Sequence, residues 1–226
     1  MTLEEMASAI QNNIGGGLKE VGNYTYSIDQ IKDEISNARS TMIMEYSQKG
    51  ILERPYFAQK IENIDLVFSV FPEEGIVESN SPSLLAKIPK LAMTKDNSSV
   101  LYLGPVDMSL NIKTYFSLNE LQLHKFTRTL KNRPYAFADL VHNDDGDIPV
   151  YLFNLGPSPF RKITVRAIID DPVKLLQKDG YYIDNEEFPA PLFIQDIIIT
   201  TITAKYLKYY KQLSAPNEAN DQTDKS

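Results

Sequence analysis

Hydrophobic positions recur at helical spacing between Tyr26 and Gly50. Ile28, Ile31, Ile35, Ala38 and Met42 step by three and four, while Asp29, Lys32, Asp33, Ser36 and Ser40 fall on other faces. Ser27 followed by Gln30 is a capping-box pair that satisfies amide donors left open at a helix start. Asp29, Asp33 and Glu34 in the early turns and Lys49 near the end match the helix dipole, and Gly50 supplies a left-handed stop. The predicted helix spans about 30 Å, and its apolar stripe needs a partner. The other long apolar segment, Leu192–Gln212, is the candidate. Its β-branched run Ile197–Thr203 favours a strand locally, but a segment of this length without a turn residue exceeds a typical strand and reads as a second helix.

Between these helices the period changes from helical to alternating. Strands are predicted at Asp65–Phe71, with Leu66, Phe68 and Val70 on one face, at Ser99–Gly104, at Ile112–Phe116 and at Lys162–Asp170. In the last of these, Ile163, Val165, Ala167 and Ile169 alternate with Thr164 and Arg166. Pro134–Val141 and Ile148–Asn154 flank a polar turn and read as a hairpin. Ser81 and Pro82 open a short helical turn at Ser83–Ala86 that leads into extended Lys87–Met93; Ser117 with Glu120 starts another helix, and Asp171–Leu175 is a helical turn with Pro172 at its first position. Ile51–Ile64, interrupted by Pro55, receives no regular element. Near the start, Thr2 and Glu5 cap a short helix over Thr2–Asn13, closed by Gly15, Gly16 and Gly17; it is either an arm that orders against a partner or a helix packed on its own domain. The fold class is therefore α+β. Helices at about 27–50 and 191–212 form one part, a mostly antiparallel β-domain at about 64–171 is inserted, and the whole occupies residues 24–213 between a flexible arm, 1–23, and a disordered polar tail, 214–226.

Composition narrows the chemistry. The 226 residues, 42% hydrophobic and 23% charged, describe an ordinary globular chain long enough to bury a core. The absence of Cys removes disulfides and thiolate metal sites, and His124 and His142 alone cannot build an imidazole-rich one. A formal charge of −7 opposes a protein whose main work is gripping phosphates, although an acidic surface suits DNA that must slide past without sticking. The first residues carry no secretory pattern, and no run approaches the about 18 apolar residues of a membrane span.

Each candidate site has a plain structural reading beside the functional one. Asn143, Asp144, Asp145, Gly146 and Asp147 offer oxygen ligands but lack the terminal Glu of a Ca²⁺ loop, and a hairpin needs a turn there. His124 and His142 have no nucleophile motif near them. Gly15–Gly17 lacks the Gly-Lys-Ser/Thr ending of a phosphate loop. Lys125, Arg128, Lys131 and Arg133, interleaved with Phe126 and Tyr135, fit nucleic acid, an intersubunit ion-pair face or a solvated face. Tyr206, Tyr209 and Tyr210, among thirteen tyrosines, fit a protein contact surface or the edge of a core. The reading assigns no catalytic residue, cofactor or metal; Tyr206, Tyr209, Tyr210, Arg128, Lys131 and Arg133 are the candidate oligomer or partner contacts.

The order of elements resembles a known group. Tyr26-Ser27-Ile28 with Glu34, Ile35, Arg39 and Lys49-Gly50 is similar to the opening of virion structural proteins of crAss-like tailed bacteriophages. Val100-Leu101-Tyr102-Leu103-Gly104, Arg133-Pro134-Tyr135, Ile163–Asp170 with Asp171-Pro172, and Phe188-Pro189-Ala190-Pro191 follow in matching order over about Tyr24 to Lys208. The resemblance implies a non-enzymatic, adaptor-like subunit of a neck or tail ring, the head-to-tail connector. It implies a homo-oligomer, a dodecamer by the portal's symmetry, that docks to the portal and to neighbouring ring and tail proteins. DNA would pass through its channel without sequence-specific binding, no membrane would be involved, and the virion part would be assembled in the bacterial host cytoplasm. A baseplate or capsid-vertex protein, or a metal-dependent hydrolase, are the alternatives.

Overall fold

Both predicted terminal helices form, and the chain between them folds into two sheets. The structure, a computed structural model, describes residues 1–15, 26–71, 83–95, 99–126, 133–141, 146–155, 160–172 and 187–213, without the side chains of 124–126 and 210–213. It divides into a first unit, Met1–Arg39 with Asp184–Ser226, and a second, Ser40–Ile183. The result is an α+β fold with helices at both ends of the chain.

The first unit contains α1 (Leu3–Ile14), the first part of α2 (Ile28–Gln48) and α4 (Leu192–Leu213). The Thr2–Glu5 capping box closes as the spacing predicts: the Glu5 amide donates to Thr2 Oγ1 at 3.1 Å and the Thr2 amide to Glu5 Oε2 at 2.9 Å. Leu3, Met6, Ala7 and Ile10 are buried and α1 packs on α4, so residues 3–14 follow the packed alternative for this segment. At α2 the Ser27 hydroxyl accepts from Asp29 rather than from Gln30, while the Gln30 side chain accepts from the Ser27 amide as expected.

The covered line of α2 differs from the predicted stripe. Ile31, Ile35, Arg39, Ile43 and Ser47 are buried at steps of four, together with Ser36, whereas Ala38 and Met42 are only partly covered. A step of four residues advances about 40° around the helix, so this line drifts away from Ala38 and Met42 and takes in polar residues that a hydrophobic pattern cannot show. The helix ends as predicted. Gly50 has φ +71°, its amide donates to the Ser47 carbonyl, and the Ile51 amide donates to the Tyr46 carbonyl, the paired closure of a Schellman motif.

In the second unit the strands are β1 (Gln59–Asp65), β2 (Val67–Ser69), β3 (Ser83–Pro89), β4 (Val100–Pro105), β5 (Lys113–Tyr115), β6 (Tyr135–Ala138), β7 (Asp147–Phe153) and β8 (Lys162–Ala167). They form a sheet of order β1-β8-β4 and one of order β2-β3-β7-β6-β5. All described pairings are antiparallel except β5 with β6, whose crossover carries α3 (Leu118–Phe126), because parallel neighbours need a long return. One core of Ile61, Leu84, Ile88, Leu103, Val150, Leu152, Ile163 and Val165 is shared by both sheets. The opposite face of the larger sheet buries Tyr135, Phe137, Tyr151 and Phe153 with Phe71 and with Leu121 of α3. Phe71 meets Phe137, Tyr151 and Phe153 edge-on, at 5.0–5.6 Å between ring centres.

Four local expectations are corrected. Ser83–Ala86 is not a helical turn but the start of β3, because Leu84, Ala86 and Ile88 alternate toward the core and pair with β7. β1 occupies part of the segment left without an element: Asn63 at φ +60° and a register shift between Ile61 and Ile64 break the alternation that would have marked it. The predicted strand at Asp65–Phe71 is only β2, where Val67 and Phe68 are exposed and Val70 follows, also exposed. Thr164, placed outward by alternation, is fully buried in β8. The Asn143–Asp145 part of the acidic cluster, Pro72–Pro82, Gly16 and Gly17, residues 173–186 and the tail 214–226 lie outside the described residues.

Candidate assembly surfaces

In the first unit the strap Phe188–Pro191 sets the position of α4. Pro189 and Pro191 have no amide to donate, so the carbonyls around them need donors from elsewhere. Arg39, fully buried, donates from Nε to the Pro189 carbonyl at 2.8 Å, and buried Gln195 donates from Nε2 to the carbonyls of Ala190 at 2.8 Å and Phe188 at 3.3 Å. The Phe188 amide in turn donates to the Met1 carbonyl at 2.9 Å. Sequence reading missed Arg39 and Gln195; the signal was the proline-rich strap, whose carbonyls require such donors.

From this anchor α4 buries Ile194, Ile198, Ile202 and Tyr206. The Tyr206 ring lies 4.1 Å from that of Tyr26, centre to centre. Its hydroxyl pKa is pushed up to about 12, first by burial and then by the charge of Glu34 and a hydrogen bond to it. Glu34 also holds Lys205 Nζ at 2.9 Å. α2 therefore reaches α4 through long side chains, whereas α1 is the helix that packs closely on it.

Away from that stripe α4 is apolar as well. Leu192, Phe193, Ile197, Leu207 and Tyr209 are exposed, Leu192 at 62% and Phe193 at 54%. Few soluble helices carry apolar residues on opposite sides without a second neighbour. In the second unit β2 is the edge strand of the larger sheet among the described strands, and Phe68 in it at 76% and Val70 after it at 81% stand open, with no charge or proline in β2 to blunt the edge.

The predicted contact residues fall in different environments. Tyr206 is buried against Tyr26, Tyr209 is half-exposed, and Arg133 is exposed. The Tyr210 side chain, Arg128 and Lys131 lie outside the described residues, so the basic group is represented by Arg133 alone. Among the described residues no three His, Asp or Glu side chains gather as a metal set. A pocket of about 90 Å³ between Leu91, Met93, Phe116 and Leu140 is well below the size of a ligand cleft.

A family model described as phage tail ring protein 2 matches residues 10–225. The chain belongs to that family. It is a structural protein of a phage tail ring and a component of the virion, in agreement with the resemblance to crAss-like phage proteins. No curated protein matches the chain. Membership in a ring family points to oligomeric assembly with other tail proteins. Among the described residues no helix is long and apolar enough to cross a membrane.

Proposed function

We propose that the chain is one subunit of a homo-oligomeric ring in the neck or tail, the head-to-tail connector, closed around the channel through which DNA passes. The ring is a dodecamer matched to the portal's symmetry, docks to the portal and to adjoining ring and tail proteins, and works without catalysis. The observation that carries this reading is the family match over nearly the whole chain, and the exposed apolar residues of α4 and β2 support it. Tyr206, Tyr209 and Tyr210 near the end of α4, with Arg128, Lys131 and Arg133, are the assigned contacts; of these Tyr209 and Arg133 stand at the surface of the free chain. The mechanism is cyclic closure: modest heterologous interfaces repeat until the last subunit meets the first. The net charge of −7 suits a channel wall past which polyanionic DNA slides. Negative-stain imaging of the purified chain with and without portal and tail proteins, together with immunolabelling of virions, tests this. The expected result is a closed ring of twelvefold symmetry at the neck; a chain found only in a baseplate or at capsid vertices overturns the assignment.

A further inference from the structure

The turn between β4 and β5 is built to hold apolar side chains in water. Val106, Met108 and Leu110 are all exposed, in alternation with Asp107 and Ser109. Met108 has φ +56°, a conformation that costs a residue with a Cβ, and its amide donates to the Pro105 carbonyl at 3.0 Å. The Ser109 hydroxyl and amide donate to Asp107 Oδ1 at 2.8 and 3.1 Å, and together they hold that carboxyl below its ordinary pKa and charged. At the base the Ile112 amide donates to the Leu103 carbonyl at 2.7 Å, and the Tyr102 hydroxyl lies 3.1 Å from the Leu110 carbonyl. The loop is therefore fixed before anything meets it, with Met108 at its turn.

The small pocket lies at the other end of the same strands. Its wall takes Leu91 after β3, Ser99 before β4, Phe116 after β5, Leu140 after β6 and Ile148 at the start of β7, all from one end of the two sheets. The loop stands where β4 finishes and β5 begins. Six residue steps from Ser99 to Pro105 separate the two by about 20 Å, so Met108 cannot fill the pocket of its own chain.

Pocket and loop match in size, polarity and charge. Around the pocket Met93 is exposed at 78% and Val141, next to Leu140, at 85%, so an apolar rim surrounds an apolar hole. Its volume of about 90 Å³ is below the about 150 Å³ of a cavity that holds a benzene ring, which suits an unbranched chain such as that of Met108 better than exposed Phe68 or Phe193. Lys90, in the pocket wall, binds Asp170 at 2.9 Å yet stays more than half exposed, and an ammonium has donors left for a second carboxylate. Asp107, adjoining Met108, supplies one.

We propose that Met108 of one copy seats in the pocket of the next, with Asp107 beside Lys90, and that this head-to-tail contact repeats around the ring. It rests on the ring reading, of which it names one interface. Subunits that all point the same way join through two different patches, and here the two patches are at opposite ends of one pair of sheets.

The chain has no Cys, so introduced thiols report the contact cleanly. Full-length Met108→Cys and Met93→Cys proteins are mixed with a short bismaleimide at high protein concentration. The mixture gives the heterodimer, and either protein alone gives about tenfold less, equivalent to about 1.4 kcal/mol. Self-linking that equals the mixture overturns the proposal, as does a mixture that does not link. Adding Asp107→Lys to Met108→Cys lowers the yield, and adding Lys90→Glu to Met93→Cys restores it, with circular dichroism unchanged throughout; a yield that is not restored overturns the ion pair. With portal and tail proteins present, Met108→Asp gives fewer rings on negative-stain grids than the wild-type chain, and an equal number overturns the place of this contact in the ring. If the wild-type chain forms no ring with those partners, the ring reading fails, and the cross-links in the isolated chain still decide the contact.

Discussion

The Nε of Arg39, a side chain with no exposure to solvent, donates to the carbonyl of Pro189 at 2.8 Å across 150 positions of sequence. This joins the middle of α2 to the strap before α4 and answers a carbonyl beside two prolines. Arg39→Ala leaves that carbonyl without this donor and opens a void, and is expected to cost about 3 kcal/mol. Arg39→Lys retains the charge but not the planar donor group, so it also destabilises, by less. Guanidinium denaturation of both variants checks this, and an unchanged midpoint for Arg39→Ala counts against a structural role for the bond.

Tyr206 links stability to alkaline pH. Its folded-state pKa of about 12 stands above the ordinary 10.0, so the native state holds the phenol proton more tightly than the unfolded chain. The resulting stabilisation is complete below pH 10 and is lost as pH rises from 10 to 12. Tyr206→Phe removes this component, so its stability falls less steeply across that window. Thermal unfolding of both proteins at successive pH values measures the slope; equal slopes rule out the linkage.

Gly104 lies where β4 runs beside the segment that leads to β5. A Cβ at this position collides with the Leu110 carbonyl oxygen and the Tyr102 hydroxyl, and these two groups are hydrogen-bonded to each other at 3.1 Å. The Tyr102 hydroxyl pKa is raised by burial and by the charge of Asp107, in keeping with its enclosed position. Gly104→Ala is expected to destabilise the chain by about 2–3 kcal/mol through forced displacement of backbone. A loss below about 0.5 kcal/mol in chemical denaturation shows that the segment moves aside freely.

Tyr209 separates folding from assembly. Half-exposed on α4, it contributes little to the isolated chain, so Tyr209→Ala shifts stability by no more than about 0.5 kcal/mol. If it is a ring contact as proposed, the same variant lowers the yield of rings on negative-stain grids. Normal rings with normal stability remove Tyr209 from the interface.

Much of the fold was legible because its signals are local. Thr2 with Glu5, Gly50 after Lys49, and the apolar runs of β4, β7 and β8 each need only a few neighbouring residues to be recognised, and each formed where expected. Features set by distant partners were not legible. Asn63 shifts the phase of β1, Ser83 belongs to a strand only because β7 lies beside it, and Arg39 is buried by a strap that comes much later in the chain. Exposure along α4 was not legible either. Tyr209 was chosen for its residue type, but the outer stripe of α4 overlaps a core stripe on the same apolar helix, and only burial separates the two.

The bond between the Met1 carbonyl and the Phe188 amide also fixes an order of events during synthesis. At about 5–20 residues per second, the first residues emerge some 10–40 s before the chain reaches α4. Ser40–Ile183 leaves the ribosome complete while α1 still lacks the helix that covers Leu3, Met6 and Ile10. A chain that stops before α4 therefore has no finished first unit. The first unit is thus joined from segments made far apart in time, and its helix α1 waits for α4 before Leu3, Met6 and Ile10 are covered.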